Sequence, residues 1–365
     1  MEQRKQVISK CDEILSINNK IQESNNHILV KKMSEYITNR ANRIKEICNI
    51  EKYNIYFNGS VGIGKTTAIC SLFGLIDEHP SNENLKLSDI FLLKTGTGRT
   101  TICETEIVFN SKSNYLLIEQ VSKDDFIKMV KEFANSIKVS IKDENISLAE
   151  EEKTLIKNMA GIQLNADHEE ILSIFLGENL EEELLKTINY DNRTKLKLEN
   201  DKESFKSWLK KTFADINGGK ITDVPMPKKV IIHISEEDTP KELPNFVNSI
   251  FDTRGIDGGE RPDIQSYITK NDSISIMCDE IRGIASNEAV LSILKQTLIK
   301  EDEDNKQRVV LMGIDMDGDL DDITEFENDR DGGIKFKTNQ AFEKLRSSQY
   351  IGHIFRIFFL KNIKN

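Results

Sequence analysis

The residues of this chain best suited to chemistry lie in one glycine-rich segment, GSVGIGKTT, at positions 59–67. The segment fits the pattern G-x-x-x-x-G-K-[ST] at every fixed position, with a strand-like stretch before it and a helix-like stretch after it. In this pattern the backbone N–H groups of the loop surround phosphate oxygens at the N-terminus of the helix. The pattern therefore predicts a nucleotide-binding loop. Its contacts would come from Gly59, Ser60, Val61, Gly62, Ile63, Gly64, Lys65, Thr66 and Thr67.

Two side chains at the end of the loop have distinct predicted roles. Lys65 would reach the β- and γ-phosphate oxygens of a nucleoside triphosphate, and the hydroxyl of Thr66 would bind Mg²⁺. The expected ligands are therefore Mg²⁺ and either GTP or ATP.

A second polar segment, KTGTGRTTICETEI (Lys94 to Ile107), places paired threonines on a glycine-rich loop just before a strand. Nucleotide switches use such a loop to bring a threonine hydroxyl to Mg²⁺ and to sense the γ-phosphate. Thr100 and Thr101 are the candidates for this role.

A third segment, FDTRGID, ends an apolar strand with Asp252 and continues to Gly255. In the pattern D-x-x-G the aspartate holds Mg²⁺ through water, and the glycine amide meets the γ-phosphate. The motif is short, but it ends a strand and follows the other two segments in the order that this chemistry requires.

A rival carboxylate pair ends another apolar strand, SISIMCDE. Asp279 and Glu280 have the form of a Walker B element, in which the aspartate holds Mg²⁺ and the glutamate activates water. This strand lies far along the chain from the loop, and no LSGGQ-like sequence accompanies it, so Asp252 is preferred. Geometry separates the two, because the metal-side aspartate must end a strand beside the loop strand within reach of Thr66.

The order of these segments resembles that of dynamin-like large GTPases, in which a helical segment precedes the nucleotide domain and a "TG…TT…E" switch follows its first helix. It is also similar to uncharacterised bacterial ATP/GTP-binding proteins that pair a GRTT-C-E switch with a DT[KR]GID strand end. The resemblance covers roughly residues 54–108 and 248–279. It implies a P-loop NTPase fold, and it makes Thr101, three residues before Glu104, a better Mg²⁺ ligand than Thr100.

Two departures from that pattern predict slow hydrolysis. Val61 stands where small GTPases keep a glycine, and its branched side chain would crowd an arginine from a partner. Ile256 follows D-x-x-G in place of a glutamine that orients water, and Asp257 is the nearest polar substitute. Arg99, two residues before Thr101, could supply the transition-state charge from the same chain, or it could pair with an acidic neighbour.

The base of the nucleotide is not defined by a motif. No [NT]KxD sequence for reading guanine follows the strand VVLMG. Asp315 or Asp317 could bond the edge of guanine, but the lysine that packs on the base is missing. GTP and ATP both remain open.

Together these segments predict Mg²⁺-dependent binding and hydrolysis of a nucleoside triphosphate by a G-protein-like or dynamin-like switch. The catalytic residues would be Lys65, Arg99, Thr101 and Asp252. The first alternative is an ATPase subunit of a multi-component bacterial system, such as a defence system. The second is a slow nucleotide-binding scaffold.

Apolar strands that alternate with helices predict an α/β fold with a mainly parallel sheet. We expect an N-terminal helical segment at 1–50, a nucleotide domain at 51–121 and 222–365, and a helical insertion at 122–221. The stretch Ile141 to Tyr190 has twelve acidic and four basic residues, which is typical of a solvated or partner-facing lobe. The segments ETEIVF and NYLLIEQV are predicted to pair as neighbouring strands.

Composition limits the partners. A net charge of −11 and a pI near 5.2 argue against general binding to nucleic acid or to anionic membranes. The five cysteines are scattered without CxxC spacing, which suits a reducing compartment and neither a disulfide framework nor a zinc site. No apolar run approaches the roughly 18 residues of a membrane span. We expect a cytoplasmic protein that contacts a protein partner, or a second copy of itself, through the helical insertion.

Overall fold

A computed structural model of the chain describes residues 2–24, 27–77, 90–93, 103–138, 148, 150–175, 179–200, 204–256, 261–285, 287–288, 290–293, 308–315, 329–347 and 356–361. The helices are α1 (Glu2–Ser24), α2 (Ile28–Asn49), α3 (Lys65–Leu72), α4 (Lys123–Lys138), α5 (Glu150–Met159), α6 (His168–Ile174), α7 (Leu180–Ile188), α8 (Phe205–Asn217), α9 (Pro262–Thr269) and α10 (Arg330–Ser347). The strands are β1 (Tyr53–Gly59), β2 (Glu104–Ser111), β3 (Tyr115–Gln120), β4 (Lys197–Glu199), β5 (Pro227–Ser235), β6 (Val247–Asp252), β7 (Ser273–Glu280), β8 (Val309–Asp315) and β9 (Arg356–Lys361).

The described strands form one sheet in the order β4-β3-β5-β2-β6-β1-β7-β8-β9. Five neighbouring pairs are parallel: β1–β6, β1–β7, β2–β5, β7–β8 and β8–β9. Three are antiparallel: β2–β6, β3–β4 and β3–β5. The prediction of an α/β fold with a mainly parallel sheet is confirmed, although the sheet is mixed rather than wholly parallel.

The predicted pairing of ETEIVF with NYLLIEQV is wrong. Both segments are strands, β2 and β3, but β5 lies between them, parallel to β2 and antiparallel to β3. The reason is burial: Val230, Ile232 and Ile234 of β5 are fully buried, so this strand takes a central position. The short segment between β2 and β3 suggests a hairpin, but the apolar content of β5 decides the order.

The sheet has different cores on its two faces because strand side chains alternate in direction. On one face, Phe57 of β1 and Ile107 of β2 pack with Ile69 of α3 and Leu209 of α8, all fully buried. On the other face, α9 packs against β7 and β8. Helix α8 falls in the range predicted for the insertion, yet it packs against the sheet.

Helices α4 to α7 (residues 123–188) have a separate core, and we call them the helical lobe. The apolar residues of α4 recur every three or four positions, which places Phe126 and Val130 on one buried face. Leu155 of α5, Ile171 of α6 and Leu184 of α7 are fully buried in the same cluster.

The N-terminal helices α1 and α2 pack against each other as a hairpin. Buried Asn18 donates to the backbone oxygen of Ser34 (2.8 Å) and to the Thr38 hydroxyl (2.9 Å), which fixes the register of the pair. Among the described helices, none combines the length and apolar character needed to cross a bilayer.

Candidate nucleotide site

The candidate site lies at the carboxyl end of β1, where parallel strands of α/β sheets commonly place their ligands. Strand β1 leads into the glycine-rich loop, and the loop leads into α3, as the motif requires. A Cβ on Gly59 would lie 2.5 Å from the backbone oxygen of Cys278 on the neighbouring strand β7. Only glycine therefore lets the loop leave the sheet so close to β7.

Lys65 begins α3 and folds back over the loop. Its ammonium group donates to the backbone oxygens of Gly59 (3.1 Å) and Ser60 (2.9 Å), and the residue is buried. This position holds a positive charge at the concave side of the loop. A phosphate group bound there would meet the charge and the N–H groups that begin α3.

Thr66, in the first turn of α3, contacts Asp252 at the end of β6, the strand beside β1, although the two residues lie far apart in the chain. The Thr66 hydroxyl donates to Oδ2 of Asp252 at 2.5 Å, and Asp252 is 1% exposed. The second carboxylate oxygen, Oδ1, is buried and has no hydrogen-bond partner in the described part of the chain. Burial raises the pKa of Asp252, while the Lys65 charge and the Thr66 hydrogen bond oppose that rise.

The DTRG segment runs beside the loop strand. The Thr253 N–H donates to the backbone oxygen of Phe57 (3.2 Å), and the Ile256 N–H donates to that of Gly59 (3.0 Å). The Thr253 hydroxyl also donates to Phe57 and to the side chain of buried Asn58. The segment is thus fixed parallel to β1, and Gly255 lies against the glycine-rich loop.

Asp279 ends β7, the other neighbour of β1, but its contacts are local. Its carboxylate accepts the N–H groups of Ala285 (2.8 Å) and Glu280 (3.0 Å), which closes the turn after β7. Burial raises the pKa of Asp279 to about 6. Of the two rival aspartates, Asp252 is the one in contact with Thr66.

The remaining predicted residues are placed as follows. Arg99, Thr100, Thr101, Asp257 and Asp317 lie outside the described residues. Asp315 ends β8, which is separated from β1 by β7, and it is 1% exposed. The structure therefore brings together the loop, Lys65, Thr66, Asp252 and Gly255.

One contact to the loop was missed by motif reading. Asn287 donates from Nδ2 to the Ser60 hydroxyl at 2.6 Å, and its Oδ1 accepts the N–H of Val290 at 3.3 Å. Asn287 therefore caps the helical turn at 290–293 and also contacts the glycine-rich loop. An asparagine before the apolar helical pattern EAVLSIL is a helix-start signal, and it could have identified the cap but not the contact with Ser60.

Three buried cysteines near the sheet, and any cluster of metal-ligating side chains, are the other candidates for a reactive group. Burial raises the pKa of the Cys70, Cys103 and Cys278 thiols to about 12, so none is a thiolate nucleophile near neutral pH. Within the described ranges, no group of three or more histidine, cysteine, aspartate or glutamate side chains could hold a metal ion.

Comparison with solved structures gives remote likenesses. No protein family model and no curated protein matches this chain. The chain is similar to two solved structures of an oligomerised bacterial dynamin pair, described as providing a mechanism for the long-range sensing and tethering of membranes. The identities are 16% and 15%, with TM-scores of 0.39 and 0.40. Each match covers 99% of this chain but only 46% of the other chain, and a likeness this remote transfers no activity.

Proposed function

We propose that this protein binds a nucleoside triphosphate with Mg²⁺ and hydrolyses it, acting as a switch of the G-protein-like or dynamin-like kind. The observation that carries the proposal is the contact between Thr66 and Asp252. Two segments that sequence motifs assign separately to Mg²⁺ meet at hydrogen-bond distance, directly beside the lysine assigned to phosphate. Chance glycine-rich turns have no reason to satisfy this relationship.

The residues at this point fit a magnesium ion. Mg²⁺ prefers oxygen ligands and is held in such sites by a serine or threonine hydroxyl and an aspartate. Here the Thr66 hydroxyl lies beside a buried carboxylate whose Oδ1 has no hydrogen-bond partner among the described residues. Thr66 and Asp252 would hold the ion, and when bound it would neutralise negative charge that develops on the phosphates.

Other groups of the chain would bind the phosphates and stabilise the charge that develops during cleavage. The loop N–H groups would bind the β-phosphate, and Lys65 would place its charge between the β- and γ-phosphates. The Gly255 N–H would meet the γ-phosphate, and Thr101 would complete the metal site. Arg99 is our proposed cis arginine, which would stabilise negative charge on the γ-phosphate during cleavage.

Hydrolysis is proposed to be slow. Val61 packs against Gly255, so a branched side chain occupies the space next to the predicted γ-phosphate contact. Buried Ile256 follows Gly255 and carries no group that could orient water. Slow hydrolysis would lengthen the lifetime of the triphosphate-bound state once the nucleotide has bound.

Equilibrium binding of ATP, GTP, ADP and GDP, each with and without Mg²⁺, tests the proposal. We expect tighter binding of one triphosphate with Mg²⁺, and a loss of at least tenfold in Lys65→Ala, because that variant removes the only phosphate-binding charge assigned by the motif. Lys112→Ala, which removes a lysine outside the site, is the matched control. Failure of all four nucleotides to bind would refute the proposal, and a GTP:ATP affinity ratio near one would refute guanine specificity.

A further inference from the structure

An arginine of the DTRG segment reaches out of the sheet to the helical lobe. Nη2 of Arg254 donates to Oε1 of Glu152 at 2.7 Å. The Arg254 side chain is 54% exposed, whereas the Glu152 side chain is 9% exposed. The carboxylate is therefore a fixed point in the lobe, and the arginine is the part that extends to it.

Glu152 owes its position to the packing of α5. Leu155 and Ile156 are fully buried in the core of the helical lobe, and Met159 at the end of the helix is 5% exposed. Because these residues follow Glu152 by three, four and seven positions, they fix the rotation of the helix about its axis. Helix α5 therefore cannot rotate position 152 away from Arg254 without disturbing that core.

The far end of α5 is attached to the segment that leads into β5. Asn158 donates to the backbone oxygen of Gly218 at 2.6 Å. Buried Arg193 donates to the backbone oxygen of Met159 and also to those of Ile221 and Val224, each at 3.1 Å. A ten-residue helix spans about 15 Å. Helix α5 therefore connects the DTRG segment to the chain before β5.

The DTRG segment is also held from its other side. Arg261, just before α9, donates to the backbone oxygens of Arg254 and Gly255, each at 2.8 Å. Arg261 is in turn paired with Asp263 (2.6 Å). Residues 254 and 255 thus lie between the glycine-rich loop, the start of α9 and the helical lobe. Because the three contacts share these two residues, a displacement at one contact displaces the others.

We propose that Glu152 is a positioning residue, through which the helical lobe and the nucleotide site control each other. The proposal rests on the proposed function and extends it, because it names the lobe as the part that senses whether the γ-phosphate is present. Contact of the γ-phosphate with Gly255 fixes the position of the neighbouring Arg254. A shift of Arg254 then moves α5 through its hydrogen bond to Glu152. By reciprocity, whatever binds the lobe and moves α5 changes the preference of the site for triphosphate over diphosphate.

The test compares Glu152→Gln with Glu150→Gln in the full chain. Glu150 lies on the same helix, is 82% exposed and pairs with Lys153 within that helix, so its variant makes the same chemical change without touching Arg254. The first readout is the ratio of affinities for a non-hydrolysable triphosphate and the matching diphosphate, both with Mg²⁺. The second is hydrogen exchange of residues 150–159 in the two nucleotide states.

We expect wild-type α5 to exchange at different rates in the two states, and Glu152→Gln to abolish that difference. The affinity ratio should change by about fivefold or more, the lower end of usual coupling. Glu150→Gln should match the wild type. Arg254→Gln should reproduce the effect of Glu152→Gln on the affinity ratio, and the double variant should add little to it, because each substitution removes the same Arg254–Glu152 ion pair. If Glu152→Gln fails to fold, the affinity ratio and the hydrogen exchange of Arg254→Gln test the proposal on their own.

Each contrary result has its own meaning. A wild-type protein that binds no nucleotide would overturn the proposed function and this proposal together. Binding by the wild type, with the same affinity ratio and the same exchange difference in Glu152→Gln, would overturn this proposal alone. Equal loss of triphosphate and diphosphate binding with a lower melting temperature would show that Glu152 only supports the fold, which also overturns it.

Discussion

Val61 of the glycine-rich loop lies directly against Gly255 of the DTRG segment. A Cβ added to Gly255 would lie 2.8 Å from both the backbone nitrogen and the Cα of Val61, and it would also meet the Val61 side chain. The two segments assigned to the phosphates are therefore in van der Waals contact, with no room for a larger residue at position 255. The glycine-rich loop and the DTRG segment therefore pack as one unit.

Replacing Gly255 with alanine should push these segments apart. We expect Gly255→Ala to lower the free energy of unfolding by about 1–3 kcal/mol, the usual cost of overpacking. It should also weaken triphosphate binding more than diphosphate binding, because the shift falls at the proposed γ-phosphate contact. Urea unfolding and nucleotide titration measure both effects. Gly218→Ala is a milder control, since its nearest neighbour would lie at 3.1 Å. Equal behaviour of the two variants would contradict the packing argument.

Replacing Val61 with glycine should speed hydrolysis. The substitution removes a branched side chain from the space beside Gly255, so water and a stabilising charge gain access to the γ-phosphate. We expect a higher kcat with little change in triphosphate affinity, measured by phosphate release at saturating nucleotide. In the Gly255→Ala background, Val61→Gly should recover part of the lost stability. A kcat equal to or lower than that of the wild type would show that Val61 does not limit turnover.

Arg99 is the residue expected to stabilise charge during cleavage. Arg99→Ala should lower kcat by about 10³-fold, the contribution of arginines that act in this way. Nucleotide affinity should stay the same, because the arginine acts mainly in the transition state. Single-turnover hydrolysis gives the rate, and titration gives the affinity. Unchanged turnover in Arg99→Ala would assign this residue to an ion pair on its own loop.

Much of the fold follows from local pattern. Each apolar run that the sequence marks as a strand forms one, because β-branched and aromatic residues favour pleated, buried positions. The order of the strands does not follow from local pattern. Strand β5 enters between β2 and β3 from more than a hundred residues away, and only the burial of Val230, Ile232 and Ile234 in three dimensions explains it. Proximity in sequence favours a β2–β3 hairpin. The more apolar β5 takes the central position instead and separates the two strands.

The candidate site, like the fold, could be predicted from the sequence only in part. The spacing of fixed motif positions is enough to place Lys65 and Thr66 in one chemical group and to make Asp252 the preferred aspartate. The choice between Asp252 and Asp279 needs coordinates, because both end apolar strands that flank β1. The contacts of Asn287 with Ser60 and of Glu152 with Arg254 join residues from unrelated segments, and no spacing rule relates such pairs.

The stability of the protein should depend on pH through Asp279, which lies at the turn after β7. Burial raises its pKa from 3.8 to about 6, so the folded protein retains a proton that the unfolded chain has lost. The contribution of the neutral carboxyl to stability is therefore complete below about pH 4 and disappears as the pH rises through 6. We expect the melting temperature of Asp279→Asn, relative to the wild type, to rise between pH 5 and pH 8. Glu280→Gln, at the exposed neighbouring position, should show no such trend. A constant difference for Asp279→Asn would contradict the raised pKa.

The most direct test of the central claim is the Mg²⁺ dependence of triphosphate affinity in Asp252→Asn and in Asp279→Asn. Burial already disfavours the charged form of Asp252, so asparagine should preserve the fold. If Thr66 and Asp252 form the magnesium site, Mg²⁺ will tighten triphosphate binding in the wild type and in Asp279→Asn by at least about tenfold, and it will have little effect in Asp252→Asn. Loss of the Mg²⁺ effect in Asp279→Asn, with its retention in Asp252→Asn, would contradict the account.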